Sequence, residues 1–241
     1  MIPISTLFDD EPREGTWRHE IKYPVSEAKT RELYAHLAPL LRADINAERE
    51  GGYLVKSLYF DTPRFTDYSD KELGASLRQK ARLRSYGEGG LYRLELKNKL
   101  DDMNIKRSCT LDEAAARALA RGELAAIKEA RGEHAEYIRA FMSSHGYRPA
   151  AVIKYFRRAL LSADGGFRLT FDTDMTSGID PESLFCAHCA RDIPLGGAVV
   201  EVKYDDFLPS WVTDRLYRCG VTSSEFSKYA LGCTAALEYI L

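Results

Sequence analysis

A glutamate and a lysine flank one aliphatic residue at three places in the chain, namely Glu20-Ile21-Lys22, Glu95-Leu96-Lys97 and Glu201-Val202-Lys203. Residues i and i+2 of a β-strand point to the same side. Each triplet therefore predicts a strand with an acid and a base on one face and an aliphatic side chain on the other. Arg82 and Arg84 continue this pattern in another segment. We expect a sheet with one charged face and one apolar face.

Two architectures produce such an alternation. An ordinary antiparallel sheet buries its apolar face under helices and leaves its charged face in water. A barrel closed with the charged face inward would instead enclose a cationic tunnel, with helices covering its apolar outer face. The charged faces here are dominated by arginine and lysine and contain little threonine, serine or glutamine, which favours the second architecture. The predicted fold class is α+β, a closed antiparallel β-barrel, or tunnel, with a charged interior and flanking helices.

Periodicity and turn residues predict the order of the elements. Predicted strands lie at 53–60, 76–86, 91–99, 105–109, 151–161, 166–174 and 198–204. Predicted helices lie at 26–42, 209–219 and 223–241, and a helical insert at about 110–146 opens with a capping box at 110–113. Turns at 87–90 and 101–102 join three consecutive strands. We expect an N-terminal arm at 1–17 and a single domain at 18–241.

Composition narrows the function further. The net charge of -2 and the isoelectric point of about 6.2 disfavour bulk nucleic-acid binding. Dedicated nucleic-acid-binding domains usually have an isoelectric point above about 9. Five irregularly placed cysteines and the lack of a secretory signal indicate reduced thiols in the cytoplasm. Cys186-Ala187-His188-Cys189 is either an ordinary loop or part of a metal site. No run of about 18 apolar residues occurs, so association with a membrane would require a partner.

Seven short motifs follow one another along the chain: EIKY at 20–23, SLYFDT at 57–62, RLRSY at 82–86, ELK at 95–97, RLTFDT at 168–173, EVKY at 201–204 and FSKY at 226–229. In this order they resemble the VTC domain. That domain is the polyphosphate polymerase domain of the vacuolar transporter chaperone complex and its bacterial relatives, within the triphosphate tunnel metalloenzyme (CYTH-like) superfamily. The resemblance covers about 18–229.

The resemblance implies a tunnel in which basic residues bind a triphosphate and a growing polyphosphate chain, while carboxylates hold Mn²⁺ or Mg²⁺. Carried over by position, the catalytic residues are Arg82, Arg84, Lys97 and Lys203. The further phosphate-binding residues are Lys22, Lys106, Arg157, Arg168, Ser227 and Lys228. The metal ligands are Glu201 first, then Glu95 and Glu20, either of which could be only the ion-pair partner of a lysine. Strand parity leaves open whether Lys106 or the adjacent Arg107 makes the phosphate contact from this strand.

The activity implied by the resemblance is transfer of the γ-phosphate of ATP to inorganic polyphosphate, with release of ADP. Two alternatives remain, a tunnel triphosphatase that hydrolyses ATP or triphosphate and a non-catalytic polyphosphate- or nucleotide-binding module. Arg18 stands where hydrolytic tunnel enzymes carry the first glutamate of an E-x-E-x-K motif, which favours transfer. Glu225 stands where the eukaryotic polymerase carries a lysine, which departs from the polymerase pattern.

Overall fold

The computed structural model describes residues 19–44, 51–86, 91–100, 103–178 and 180–240. Its strands are β1 (His19–Val25), β2 (Arg42–Ala43), β3 (Tyr53–Asp61), β4 (Leu77–Tyr86), β5 (Tyr92–Leu100), β6 (Met103–Leu111), β7 (Arg148–Leu161), β8 (Phe167–Gly178), β9 (Ile193–Pro194) and β10 (Ala198–Tyr204). Its α-helices are α1 (Glu27–Leu37), α2 (Thr66–Glu72), α3 (Glu113–Ala120), α4 (Ala135–Ser144), α5 (Ser210–Arg218) and α6 (Lys228–Ile240). Short 3₁₀ helices are Ala38–Leu40, Leu124–Glu129 and Pro181–Phe185.

The strands form one antiparallel sheet in the order β1-β10-β8-β7-β3-β4-β5-β6, with β2 paired to β7 and β9 to β8. Within the described residues, no backbone ladder joins β1 to β6. The sheet nevertheless curls so far that Lys97 Nζ on β5 lies 3.1 Å from Glu20 Oε2 on β1. The predicted α+β tunnel fold is confirmed, and the Lys97–Glu20 ion pair bridges the two ends of the sheet where no backbone ladder joins β1 to β6 in the described residues.

Helices cover the apolar face of the sheet in two groups. α3 and α4 pack against β3 to β6, where Leu83, Leu94 and Leu96 are fully buried. α1 and α5 pack against β1, β8 and β10 through residues that include Leu33 and Leu216. Full burial of one such side chain contributes about 1.5–3 kcal/mol. The two cores therefore hold the sheet with its charged face inward.

The last helix, α6, lies on the concave side of the sheet. Its Tyr229 and Cys233 pack against Ile153 and Tyr155 on the inner face of β7. A Cβ at Gly232 would lie 2.1 Å from Ile153 Cδ1, so glycine permits this close approach. α6 therefore fills the apolar part of the concave side.

Several helix boundaries differ from the predicted ones. Asp112, rather than Thr110, caps α3, because its carboxylate accepts a hydrogen bond from the Ala115 N–H at 2.9 Å. Thr110 instead belongs to β6. α1 begins after the predicted cap Ser26 but stops just before the Ala38–Leu40 turn. This turn contains a proline, which disfavours the helical conformation of the residue before it. α6 begins five residues later than predicted, at 228.

Two other predictions meet different outcomes. Cys186 and Cys189 are joined by a disulfide, so the expectation of reduced thiols is wrong for this pair, and the other cysteines are thiols. The predicted arm at 1–17, Arg18 and the turns at 87–90 and 101–102 lie outside the described residues.

Candidate functional site

Glu95 is the centre of the first ion-pair cluster on the charged face. Arg82 Nε lies 2.5 Å from Glu95 Oε2, and Lys106 Nζ lies 3.4 Å from Glu95 Oε1. Arg84 and Arg93 each approach this carboxylate to 4.0 Å. Burial opposes ionisation, but Arg82, Lys106 and Arg84 lower the pKa of Glu95 well below its usual value. The carboxylate is ionised and cations outnumber it.

Glu20 holds the second cluster, where the two ends of the sheet meet. Lys22 and Lys97 each lie 3.1 Å from its carboxylate, and Lys203 lies 3.9 Å from it. Burial opposes ionisation here too, but Lys97, Lys22 and Lys203 lower the pKa of Glu20 well below its usual value. Lysines from three strands therefore converge on one carboxylate.

The third cluster surrounds Lys228 at the start of α6. Its Nζ lies 2.7 Å from both Glu201 Oε1 and Asp172 Oδ2. Arg157 donates to both oxygens of Asp172 at 2.7 Å and approaches Glu201 to 3.9 Å. Burial lowers the pKa of Lys228, but Asp172 and Glu201 raise it above its usual value. Arg157 and Lys228 therefore neutralise two buried carboxylates in the ligand-free chain.

Ser227 lies where α6 begins and contacts the opposite wall. Its hydroxyl accepts hydrogen bonds from the Ala230 N–H at 3.2 Å and from Lys80 Nζ at 2.9 Å. The preceding segment is tied to β1, because Lys22 Nζ donates to the Phe226 carbonyl at 3.0 Å. These contacts fix the N-terminal end of α6 between β1 and β4.

Two lysines of the charged face have lowered pKa values. Burial is the main cause for Lys80, and the charges of Lys22 and Lys97 add to it, so its pKa lies well below the usual value. Burial likewise lowers the pKa of Lys203 to about 8. Both side chains therefore lose their proton more readily than an exposed lysine does, and an anion beside them would restore it.

Arg168 is opposite Lys203 in the β8–β10 register, and its guanidinium is held by a further carboxylate. Its Nη2 is 2.6 Å from Asp44 Oδ2 and 3.0 Å from the Tyr53 hydroxyl oxygen. These partners come from the segment after α1 and the start of β3. The structure therefore places Arg168 beside Lys203 on the charged face, with its guanidinium held by Asp44 and Tyr53, and its phosphate contact stays a prediction.

The register of β5 and β6 resolves the parity of the two adjacent cations on β6. Lys106 lies opposite Lys97 and shares the charged face with it. Arg107 points to the outer face, where its guanidinium lies 4.5 Å from the centre of the Tyr137 ring. Lys106 is therefore the residue available to the interior.

A cavity of about 450 Å³ opens at one mouth of the charged interior, a volume typical of small-molecule sites. The cations that line it are Lys22, Lys71, Arg78, Lys80, Lys97 and Lys99. Glu225 also lines it, and its Oε1 lies 3.1 Å from Arg78 Nη1. At the rim, the rings of His19 and Tyr204 stack with centroids 4.9 Å apart. This wall is suited to an extended anion.

The carboxylates of the charged face supply the oxygen ligands that Mg²⁺ and Mn²⁺ prefer. Glu20 and Glu201 lie on neighbouring strands of this face, at diagonal positions in the β1–β10 register. Mg²⁺ is usually bound by one or two carboxylates together with phosphate oxygens of a substrate, so this pair fits a divalent ion. Glu95 is enclosed by arginines and a lysine, which suits an anchor for those cations.

The residues of the charged face that the predicted site lacks include Lys80, Arg93 and Asp172, and also Arg78 and Lys99 at the mouth. Strand parity identifies Lys80 and Arg93, because they lie two residues before Arg82 and Glu95 on their strands. Asp172 is opposite Arg157 in the β7–β8 register, and no local pattern indicates that pairing.

A curled antiparallel sheet with this interior defines a class of protein, the triphosphate tunnel fold, and solved structures share it. The chain is similar to a candidate adenylyl cyclase from Hippeastrum with a dominant triphosphatase activity, at a TM-score of 0.56 and 16% identity over 91% of this chain and 96% of that one. It is similar to a candidate adenylate cyclase from Bacillus halodurans, at a TM-score of 0.55 and 15% identity over 88% of this chain and 94% of that one. It is also similar to a protein from Pyrococcus horikoshii, at a TM-score of 0.50 and 11% identity over 89% of this chain and 98% of that one.

The family follows from the sequence. The profile of the VTC domain matches residues 17–237, so the chain belongs to the VTC domain family and the resemblance of its motifs is confirmed. Among curated proteins no significant match was found. In the part of the chain that the structure describes, no helix has the length and apolar character needed to span a membrane.

Proposed function

We propose that the chain is a metal-dependent polyphosphate polymerase that transfers the γ-phosphate of ATP to a polyphosphate chain. The observation that carries this proposal is the charge of the interior, where Glu20, Glu95 and Glu201 are each held by cations and further cations line the mouth. Such a surface attracts a polyanion that brings divalent ions with it. Membership of the VTC domain family supports the same class of substrate.

The proposed catalytic residues, Arg82, Arg84, Lys97 and Lys203, bind the transferred phosphate and stabilise the charge that develops on it. Phosphoryl transfer depends mostly on positioning and charge stabilisation, so no covalent nucleophile is required. The proposed phosphate contacts along the chain's path are Lys22, Lys106, Arg157, Arg168, Ser227 and Lys228. Arg157 and Arg168 would exchange part of their carboxylate contacts for phosphate oxygens, an exchange that their donor-rich guanidinium groups allow.

Transfer rather than hydrolysis is supported by the state of the carboxylates. The pKa values of Glu20, Glu95 and Glu201 all lie well below their usual values, because cations surround them. A carboxylate with a low pKa is a weak general base for water. A terminal phosphate acceptor is already anionic near neutral pH and requires no such base.

Glu20 and Glu201 are the proposed ligands of Mn²⁺ or Mg²⁺, with Glu95 as the weaker candidate. A bound ion supplies charge neutralisation on the phosphate oxygens. Lys22, Lys203 and Lys228 lie beside these carboxylates and would bind the same polyanion.

Phosphorus NMR of the purified chain with ATP, Mn²⁺ and a short polyphosphate primer tests the proposal. Mid-chain phosphate signals should grow while ADP accumulates. Glu201→Gln keeps the shape of the side chain and should abolish growth, whereas Glu133→Gln, at a site 79% exposed, should not change it. Thermal unfolding checks that both variants are folded. Phosphate release without chain growth would establish a triphosphatase, and an unchanged spectrum a binding module.

A triphosphatase is the second candidate, and one feature of the interior favours it. Lys80 and Lys203 have lowered pKa values, so in their neutral forms they could accept a proton from an attacking water. The Hippeastrum protein, which has the same fold, has a dominant triphosphatase activity. Lys80→Met discriminates the two, because it should remove hydrolysis if the lysine is a base and leave chain growth measurable if it only binds.

A further inference from the structure

The pair Cys186 and Cys189 lies outside the charged interior and takes no part in the proposed transfer. The two cysteines follow the 3₁₀ helix Pro181–Phe185 and are joined by a disulfide. We propose that they form a reversible dithiol–disulfide site, in which the ammonium group of Lys154 stabilises the thiolate of Cys189 when the pair is reduced.

The contacts of Lys154 carry this proposal. Its Nζ lies 3.5 Å from Cys189 Sγ and 3.9 Å from Cys186 Sγ. The same nitrogen lies 2.8 Å from Asp192 Oδ2, which also accepts the Cys189 N–H at 3.1 Å. The Lys154 side chain is only 2% exposed. A buried ammonium group is costly unless it is paired, so this one is placed by the structure against both sulfur atoms and one carboxylate.

The position of Lys154 on its strand separates it from the phosphate site. Its neighbour Tyr155 faces the interior, where its ring centre lies 4.9 Å from Lys228 Nζ. Successive strand residues point to opposite faces, so Lys154 points outward. There it lines a cavity of about 560 Å³ together with Ala187 and His188, the residues between the two cysteines. Cys186 and Cys189 are themselves only partly buried, so a thiol reductant can reach the pair.

The exchange balances with a second dithiol as the co-reactant. A thiolate of that dithiol attacks Cys186 Sγ and forms a mixed disulfide, and the bond to Cys189 breaks. Cys189 Sγ, the sulfur nearer to Lys154, leaves with the electron pair as a thiolate. The second thiol of the reductant then displaces Cys186, so that the chain ends as a dithiol and the reductant as a disulfide. A cation beside a leaving thiolate stabilises it and speeds this step.

Equilibration of the intact chain in mixtures of reduced and oxidised dithiothreitol tests the proposal. After acid quenching and alkylation, mass spectrometry gives the redox state of each cysteine. Cys186 and Cys189 should convert together and reversibly. Lys154→Met, which keeps most of the side-chain length, should shift the equilibrium about tenfold towards the disulfide, a change of about 30 mV for two electrons. Lys128→Met, at an exposed position on the 3₁₀ helix Leu124–Glu129, should not shift it.

A measurement on the unaltered chain keeps the test decisive if Lys154→Met fails to fold. In the reduced chain, thiolate absorbance at 240 nm should show one thiolate that ionises well below the ordinary cysteine value of about 8.5, and Cys189→Ser should abolish that absorbance. The charged and titratable groups around it are Lys154 from β7, the buried Lys56 opposite Lys154 on β3, and Asp192 and His188 from its own loop. The proposal is overturned by an ordinary ionisation, by equal equilibria in the two lysine variants, or by a pair that binds Zn²⁺ but never forms a disulfide.

Discussion

Single carboxylates of the charged interior anchor cations, and the proposed function gives Glu20, Glu95 and Glu201 a second role as metal ligands. Glu95 is the clearest case, because Arg82 and Lys106 contact it directly and it is 1% exposed. Removing one partner from a buried ion pair usually costs 3–5 kcal/mol, because the remaining charge loses its compensation.

Glu95→Gln should therefore destabilise the ligand-free chain by roughly 3 kcal/mol, as measured by urea unfolding. Tripolyphosphate should recover most of that loss, because its oxygens replace the missing carboxylate beside Arg82 and Lys106. Glu133→Gln is the matched control and should unfold like the unaltered chain with and without the anion. Equal stability of Glu95→Gln and the control would contradict the anchoring role.

Anion binding should depend on pH through two lysines with lowered pKa values, Lys80 and Lys203, and the pH range is given by Lys203. Its pKa is about 8 in the ligand-free chain, and a bound polyanion favours the charged form and raises that pKa. Binding therefore takes up a proton, so the affinity for tripolyphosphate should be highest below pH 8 and fall as the pH rises through it. Calorimetry at pH 8 in two buffers with different ionisation enthalpies measures the uptake. Lys203→Arg should reduce it, and a constant affinity between pH 7 and 9.5 would be incompatible with this account.

The sequence predicts which residues share the charged face but not which of them touch. Side chains on a strand alternate with period two, so the placement of Lys22, Arg82 and Lys203 on one face depends only on their own strands. The pairs Glu20–Lys97 and Lys228–Asp172 join elements that are far apart along the chain. They depend on the curl of the sheet and on where α6 begins, and neither has a local signal.

Among the secondary-structure elements, α6 has the largest effect on the charged interior, because it lies on the concave side of the sheet and begins with Lys228. Its approach to β7 depends on Gly232, whose missing side chain leaves room for Ile153 Cδ1. In an isolated helix Gly→Ala would stabilise by about 1 kcal/mol. Here overpacking reverses the sign, since forced insertion of a methyl group into a packed core typically costs 1–3 kcal/mol.

Gly232→Ala should thus lower the free energy of unfolding by up to about 2 kcal/mol, net of helix propensity. It should also weaken tripolyphosphate binding, because a displaced α6 carries Lys228 with it. Ile153→Val removes the Cδ1 atom that clashes. In the Ile153→Val background, Gly232→Ala should therefore cost much less stability and much less tripolyphosphate affinity than it does in the unaltered chain. Stabilisation by Gly232→Ala alone would show that α6 tolerates movement.

Element prediction succeeded where periodicity was long and failed where a cap or a tertiary contact decided the boundary. The strand at 198–204 was predicted with the bounds it has, because apolar and charged residues alternate from Val200 to Lys203 and two glycines precede the strand. The terminal helix starts late because segment 221–227 is bonded to β1 and β4 instead of to itself, through contacts such as Ser224 N–H to the Lys22 carbonyl at 3.0 Å. No property of that segment alone indicates those contacts.

The whole molecule keeps its like charges together inside a curled sheet whose ends are bridged by side chains. In the ligand-free chain the carboxylates compensate only part of the cationic charge, so the interior repels itself and a bound polyanion relieves that repulsion. Any ligand that binds only the folded chain stabilises it by RT ln(1 + [L]/Kd), about 2.7 kcal/mol at one hundred times Kd.

Tripolyphosphate should accordingly raise the midpoint of thermal unfolding far more than an equal charge concentration of orthophosphate, because one extended anion bridges cations of β1, β4 and β5 at once. Sodium chloride should reduce the shift, although less steeply than for exposed charges, since buried pairs are screened weakly. Lys97→Met should lose more of the shift than Lys128→Met, because Lys97 joins the two ends of the sheet across the tunnel wall and Lys128 lies on an exposed position outside it. If orthophosphate stabilised the chain as strongly as the polymer, the interior would hold separate anion sites, and a continuous path for a growing chain would be excluded.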